Sequence, residues 1–357
     1  MTELSAPQTQ LSPPARRKQY RVVWLAGTRG ELLLLAPFLQ AFKQQLIVDG
    51  PIHFLFDTGE HGMAMQQTMD FLKLCADETA PLLHPADEPS VRLQEVLERV
   101  EAFTRQRKAS HLILTGYGAS ATAASLLCHT RGSRALWLRP ADPAGVIETL
   151  ELESGYCRII SACGPRVKIA DLPILQPQVD LKADQYDLRE ELPGVRGDAP
   201  LALIAVLRRE WGMRNDTTSA LVRRAAEWAR HRPEIDFVFL SNLNARLESP
   251  FRSLRERPLN LLIAPPLPYP LYRELLNHAI FMLTDSPLFA ADALGTSIPL
   301  ITLGDTAKLN GITPADLSSD LPIDEWLPRK PTTTNQTFSA SALPDIQNLI
   351  TNFLMAD

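Results

Sequence analysis

The sequence predicts an α/β protein built from two Rossmann-like domains, and three observations carry that expectation. Short apolar runs alternate with stretches of helical periodicity. The runs are continuous rather than alternating in polarity, which suits strands buried on both faces of a parallel sheet. The alternation comes as two series, interrupted at residues 173–200 by a segment rich in Pro, Gly and charge. A chain of 357 residues is also the right size for two domains rather than one compact sheet.

In chain order, residues 1–19 (MTELSAPQTQLSPPARRKQ) are polar and Pro-rich with no apolar h-region. They read as a disordered tail rather than a signal peptide, and a cytoplasmic protein is expected. The first domain is expected over 20–175. YRVVWLA (20–26), IHFLFD (52–57), HLILT (111–115) and ALWL (135–138) are its strands, and 31–46, 61–75, 90–108 and 118–131 its helices. Strand–helix alternation of this kind implies right-handed βαβ units.

Residues 176–200 read as the linker. The second domain, 201–327, has strands at LALIAV (201–206), IDFVFL (235–240), LNLLI (259–263), IFMLT (280–284) and IPLIT (298–302). Its helices are expected at 217–232, 269–278 and 287–294. A polar linker and an amphipathic helix at 343–355 fill 328–357. Two such domains leave a cleft between the carboxyl ends of their strands, where ligands of doubly wound folds bind.

Composition narrows the function classes. A net charge of -5 argues against a general nucleic-acid binder. No apolar segment approaches the ~20 residues that span a bilayer. Cys75, Cys128, Cys157 and Cys163 match no metal spacing and sit in apolar surroundings, so buried free thiols are expected. The seven histidines form no HxxxH, and neither a metal nor another cofactor is expected.

Four stretches could carry chemistry. Gly27-Thr28-Arg29-Gly30 joins a strand to a helix, placing backbone N–H groups and an arginine at the strand's carboxyl edge. It reads either as an anion cradle or as a tight turn with helix-start chemistry at Glu31. In TDSPLFAADALG (284–295), Ser286 is a suitable N-cap and Pro287 a suitable first helical residue. Pro287 removes one N–H that an anion could use. VLRREWG (206–212) offers an arginine pair after a strand, either an anion clamp or a surface turn. TGEHGMAM (58–65) places His61 near a helix start, where a lone histidine is more often structural than catalytic.

Considered together, these stretches resemble the UDP-N-acetylglucosamine 2-epimerases. GTRGELLLLAP resembles the family's GTRPExxKxxP opening, and TGEHGMAMQQTMDFL its T-G/A-QHxxMxxxxLxxF segment. TGYGASATAASL is similar to HGDTxTTxAxSL, LRREWG to GHRREnxG, and SNLNARLESP to PVHLNPxVxxP. PYPLYRELLNHAIFMLTDS (268–286) is similar to YxxFxxLMxxAxxxLTDSGG. The matches keep the family's order over roughly residues 20–310. The resemblance implies a GT-B arrangement, with a nucleotide-binding second domain and a UDP-sugar in the cleft. The last helix would then cross back towards the first domain.

The family reaction removes the proton at C2 of the sugar and expels UDP, so it needs placed carboxylates and positive charge. By the resemblance, Tyr117 stands where the family has the Asp of HGDT, and Arg139 where it has a Glu. Leu207 stands where it has a His, and no catalytic residue is assigned. The UDP-binding candidates are Arg29, His61, Arg208, Asn242, Ser286 and Asp292.

The resemblance therefore implies a catalytically degenerate epimerase-like protein that binds a nucleotide sugar or serves as a partner subunit in polysaccharide or nucleotide-sugar metabolism. A homodimer or an enzyme partner would fit that role. The alternative is an active GT-B enzyme, either a glycosyltransferase or an epimerase recruiting Glu148, Glu151 or Glu153.

Overall fold

The computed structural model describes residues 20–44, 50–81, 89–141, 166–173, 188–206, 215–240, 250–265, 267–296, 298–303, 311–312 and 342–355. The first sheet contains β1 (Arg21–Ala26), β2 (Ile52–Asp57), β3 (Glu78–Thr79), β4 (His111–Thr115), β5 (Arg134–Ala141) and β6 (Val167–Pro173). Its order is β3-β2-β1-β4-β5-β6, with every neighbouring pair parallel. Between these strands run α1 (Arg29–Gln44), α2 (Met63–Leu72), α3 (Pro89–Arg107) and α4 (Ala119–Arg131).

The second sheet contains β7 (Leu201–Ala205), β8 (Asp236–Leu240), β9 (Leu261–Ala264), β10 (Ala279–Thr284), β11 (Leu300–Leu303) and β12 (Gly311–Ile312). Its order is β12-β11-β10-β7-β8-β9, again parallel throughout. Around it lie α5 (Leu188–Glu191), α6 (Asn215–His231), α7 (Tyr269–His278) and α8 (Pro287–Gly295). Both sheets therefore share one winding: the domain's first strand lies inside, its next two strands on one side and its last three on the other. The direction of winding reverses between β1 and β4, and between β7 and β10, which opens a crevice at each carboxyl edge.

The continuous apolar runs do what a two-faced sheet requires. Along β1, Val22, Trp24 and Ala26 pack with α1 on one face, while Val23 and Leu25 pack with α3 and α4 on the other. In the second domain Leu201, Leu203 and Ala205 join α7 and α8, whereas Ala202 and Ile204 meet α6. The cluster under α1 continues into the one under α7 and α8, so a single apolar core is shared by the two domains.

The edge strands β3, β6 and β12 have no counterpart in the sequence expectation. Along β6, Lys168, Ile169 and Asp171 are exposed and only Ala170 is buried among the central positions, so an apolar run is missing. Within the segment expected as a linker, residues 188–200 pack on the second domain. Leu188, Leu192 and Val195 are buried there, and the Arg196 N–H and Nε donate to the fully buried Asp236 at 2.7 and 2.8 Å.

The last helix, α9 (Ala342–Met355), buries Ile346, Ile350, Phe353 and Leu354, one stripe at helical spacing. Phe353 meets His111 of β4 edge-on at 5.4 Å, and the Arg134 guanidinium of β5 lies 5.2 Å over its ring. The helix thus follows the second domain in sequence but packs on the first.

One expectation is corrected. Cys128 is buried as expected, but Cys75 is a thiol exposed just beyond α2, where the chain has turned outward towards β3. Cys157 and Cys163 lie outside the described residues. Among those residues no His/Cys/Asp/Glu group could hold a metal, and no helix is long and apolar enough to cross a membrane.

Candidate functional site

The crevice of the first sheet is built by the turns after β1, β2 and β4. After β1, Thr28 and Glu31 cap each other. Thr28 Oγ1 accepts from the Glu31 N–H at 3.3 Å, while Glu31 Oε2 accepts from the N–H groups of Thr28 at 3.1 Å and Gly27 at 2.8 Å. This is the reciprocal T-x-x-E capping box. The N–H groups of the turn that leads into α1 thus have a carboxylate of their own.

That carboxylate is buried beneath the 116–118 turn. A Cβ at Gly116, whose φ is +75°, would lie 2.7 Å from Glu31 Oε1, and one at Gly118 would lie 3.2 Å from it. Glu60 enters the same crevice from the turn after β2. Its Oε1 accepts from Ser120 Oγ at 2.5 Å and Thr58 Oγ1 at 3.3 Å, and the two hydroxyls are 2.7 Å apart. A side chain at Gly27 would overlap Glu60, Ser120 and Thr58. Burial, and then the charge of Glu60, push the Glu31 carboxyl up to about 8 against its backbone bonds. Burial raises Asp57 to about 6, although its Oδ1 accepts from the Gly59 N–H at 2.9 Å. The crevice between β1 and β4 is therefore acidic and in part protonated at neutral pH.

A second group of charges forms where the domains meet. The Arg29 N–H donates to His61 Nδ1 at 3.3 Å, so the imidazole carries its proton on Nε2. Burial, with Arg29 and Arg92 nearby, lowers His61 to about 4 and keeps it neutral. The Arg29 side chain crosses to the second domain. Its guanidinium donates to the Leu267 carbonyl and lies 5.8 Å over the Tyr272 ring. Asp292 of α8 faces it. Burial raises that carboxyl to about 6, opposed by Arg273 and then Arg29.

Of the residues expected at a UDP site, the fold thus brings Arg29, His61 and Asp292 to one place. Ser286 opens α8 at the carboxyl end of β10. It is the N-cap residue, as the sequence predicts, but its side chain makes no capping bond. Its N–H donates instead to Thr284 Oγ1 at 3.1 Å, and its carbonyl accepts from the Ala290 N–H at 2.9 Å. Tyr117 turns its ring onto Trp137, edge to face at 5.3 Å. Arg139 lies opposite Asp171 in the β5–β6 register and bonds it at 2.6 Å. Leu207, Arg208 and Asn242 lie outside the described residues, as do Glu148, Glu151 and Glu153.

Two charged positions near these groups escape motif reading. Glu60 replaces the Gln of the resembling family segment, a signal present in TGEHG beside His61. Arg273 falls on an unspecified position of the segment at 268–286, so no motif marks it.

No protein-family model matches the chain. Among curated proteins it is similar to the UDP-N-acetylglucosamine 2-epimerase of Salmonella borreze, 20% identical over 316 residues, covering 81% of this chain and 82% of that protein. Among solved structures it is similar to the UDP-GlcNAc 2-epimerase of Neisseria meningitidis bound to UDP-GlcNAc. That match has a TM-score of 0.73 and 15% identity, covering 94% of this chain and 100% of the other. The Methanocaldococcus jannaschii UDP-GlcNAc 2-epimerase in complex with UDP-GlcNAc and UDP gives a TM-score of 0.72 at 15% identity, covering 93% and 99%. Two parallel sheets in this order, flanked by helices, match the GT-B fold of these structures.

Proposed function

We propose that this chain, a relative of the UDP-N-acetylglucosamine 2-epimerases with their GT-B fold, binds a nucleotide sugar in its interdomain cleft but no longer epimerises it. The relatives of known structure include complexes with UDP-GlcNAc and with UDP, which supports a ligand of that class here. In this reading Arg29, His61, Ser286 and Asp292 stand around the diphosphate and ribose end. The protein acts as a binding or partner subunit in nucleotide-sugar or polysaccharide metabolism.

The observation that carries the loss of epimerisation is the fate of Tyr117. Removing a proton from C2 beside an acetamido group needs a carboxylate-class base close to the sugar. At the position of the family's Asp, this chain instead packs a phenol ring against Trp137. The next family acid is replaced by Arg139, already paired with Asp171.

A second reading, an enzyme with altered acid–base chemistry, is favoured by the Glu31–Glu60 pair. A buried carboxyl of raised proton affinity beside a second carboxyl group, at the crevice between β1 and β4, is the material of acid–base catalysis.

Calorimetric titration with UDP and UDP-GlcNAc, paired with NMR detection of the C2 epimer, tests both readings. Binding below millimolar with no epimer formed is the expected result. Formation of the manno epimer at an ordinary enzyme rate would sink the degenerate reading. Absence of binding to either ligand would sink the nucleotide-sugar reading itself.

A further inference from the structure

Positive charge collects at the amino edge of the first sheet, at the far end of its strands from the crevice. α3 ends there on Arg105 and Arg107 with Lys108 next, and α4 ends on Arg131. Arg21 opens β1, and its Nη1 donates to the Arg107 carbonyl at 3.0 Å. The Ser110 N–H donates to the Arg21 carbonyl at 3.0 Å and the Arg134 N–H to the Ser110 carbonyl at 3.2 Å, so β1, β4 and β5 begin side by side. Arg166 leads into β6 and reaches back to the end of α4, where a Cβ at Gly132 would lie 2.6 Å from its Nη1. Lys168 follows, exposed on β6. Tyr20, where the described chain begins, meets His111 edge-on at 5.1 Å at this same edge. The sequence just before it contains Arg16, Arg17 and Lys18.

Basic groups at helix ends are ordinary, because they answer the helix macrodipole. The amino edge of the second sheet shows what that effect alone produces. There Arg232 pairs with Glu234 and Arg196 with Asp236, and Glu256 separates Arg255 from Arg257. At the first edge Glu101 pairs with Arg105 at 2.8 Å and with Arg131, and Arg21, Arg107, Lys108, Arg166 and Lys168 stand in excess of it. This excess belongs to a chain whose net charge is -5. Among the described residues no Phe, Tyr or Trp side chain is exposed, whereas protein hot spots and single-stranded nucleic acid both call for one. What is exposed beside the cations is Met355, two residues beyond the Phe353 ring that lies under Arg134. Cations along one edge with a single apolar tip suit an anionic bilayer surface, which asks for charge density and shallow apolar contact rather than a fitted pocket.

We propose that the amino edge of the first sheet docks on anionic phospholipid headgroups and holds the protein against a membrane surface, with the crevice facing away from it. The attachment is peripheral, because no helix among the described residues is long and apolar enough to cross a bilayer. Each Lys or Arg within about a Debye length of the headgroups, ~10 Å at 0.1 M salt, adds its share of attraction. None of these groups lies at a carboxyl edge, so docking is independent of what the cleft binds.

Co-sedimentation of the full chain with lipid vesicles tests this. Wild-type protein should pellet with mixed phosphatidylcholine–phosphatidylglycerol vesicles at about 0.1 M salt and stay in solution with phosphatidylcholine alone. It should be released at about 1 M salt, where the Debye length falls to ~3 Å. The triple variant Arg105→Gln/Lys108→Asn/Lys168→Gln should bind the anionic vesicles about 100-fold more weakly, at roughly fivefold for each cation removed. Asn suits the left-handed φ of 53° at position 108. Arg252→Gln/Arg255→Gln/Arg257→Gln makes the same charge change on the second domain and should bind as the wild type does.

Equal binding to neutral and anionic vesicles, or to neither, would overturn the proposal. Wild-type affinity in the first triple variant, or an equal loss in the second, would do the same. Preference for an RNA duplex over the anionic vesicles, read by competition, would assign the edge to nucleic acid and overturn lipid docking. Should melting curves show the first triple variant to be unfolded, Lys108→Asn and Lys168→Gln decide singly, each expected to lose about fivefold in affinity. Wild-type affinity in both would then count against the proposal.

Discussion

The carboxyl group of Glu31 occupies the space that a side chain at Gly116 would need. A Cβ there would come within 2.7 Å of Glu31 Cγ and Oε1 and 3.1 Å of Cδ, on a backbone with φ +75°. Gly116→Ala should therefore cost about 2–4 kcal/mol, combining left-handed strain with overpacking. Urea melts measure it. Because both residues contend for one volume, Glu31→Ala should cost less in the Gly116→Ala background than alone, a coupling that a double-mutant cycle detects.

The Thr28–Glu31 capping box makes a separable prediction. Thr28→Ala should cost about 1 kcal/mol, the usual worth of an N-cap hydroxyl. Glu31→Ala should cost more, since the N–H groups of Gly27 and Thr28 would both lose their partner. Glu31→Gln keeps an acceptor oxygen and should be the mildest of the three. A ranking with Thr28→Ala as the most damaging would contradict the assignment.

Two buried groups should tilt the pH–stability profile in opposite directions. Glu31 has its proton affinity raised from 4.5 to about 8 by burial and by Glu60. The folded state holds that proton more tightly, so the contribution is complete below 4.5 and is lost as pH rises towards 8. His53, which accepts from Trp24 Nε1 at 2.9 Å, is lowered from 6.5 to about 4 by burial and then by Lys43. Its contribution is complete above 6.5 and is lost as pH falls towards 4. Denaturant midpoints should lose a downward slope between pH 4.5 and 8 in Glu31→Gln, and an upward slope between pH 4 and 6.5 in His53→Gln.

Arg139 should prove structural. Asp171→Ala breaks its pairing on a half-exposed strand edge, and such pairs are worth about 0–1 kcal/mol. Stability should change by no more than that, and calorimetric affinity for UDP should stay at the wild-type value.

The α9 contact should be worth far more. Phe353 is 2% exposed and meets both His111 and Arg134. Phe353→Ala should cost about 3–5 kcal/mol, the range for deleting a buried aromatic ring. Loss of hydrogen-exchange protection in β4 and β5, with β7 and β8 unchanged, would locate the damage in the first domain.

The fold is legible wherever burial is two-sided, because RVVWLA, HLILT and LALIA become apolar runs that nothing else explains. The edge strands β3 and β6 are illegible for the converse reason. Their exposed faces accept Lys168 and Asp171, so composition there resembles a loop. Within the site, Arg29 and His61 stand out by motif, and T-x-x-E announces its own cap. The meeting of Arg29 with Leu267 does not stand out, since the partners are 238 positions apart and the bond is to a backbone carbonyl that any residue supplies. The acidity of the crevice also escapes local reading. It arises from the buried Glu31 of α1 meeting the half-buried Glu60 of the turn after β2.

The placement of α9 also sets a timetable. The first sheet's last described strand ends at Pro173, yet the helix that covers the start of β4 and β5 begins at Ala342. A ribosome adding roughly 5–20 residues each second needs roughly 8–34 s to cross that interval. Throughout it the first domain waits without the cover of Phe353 over His111 and Arg134, a window in which a chaperone or a neighbouring nascent chain can reach a face that the finished protein hides.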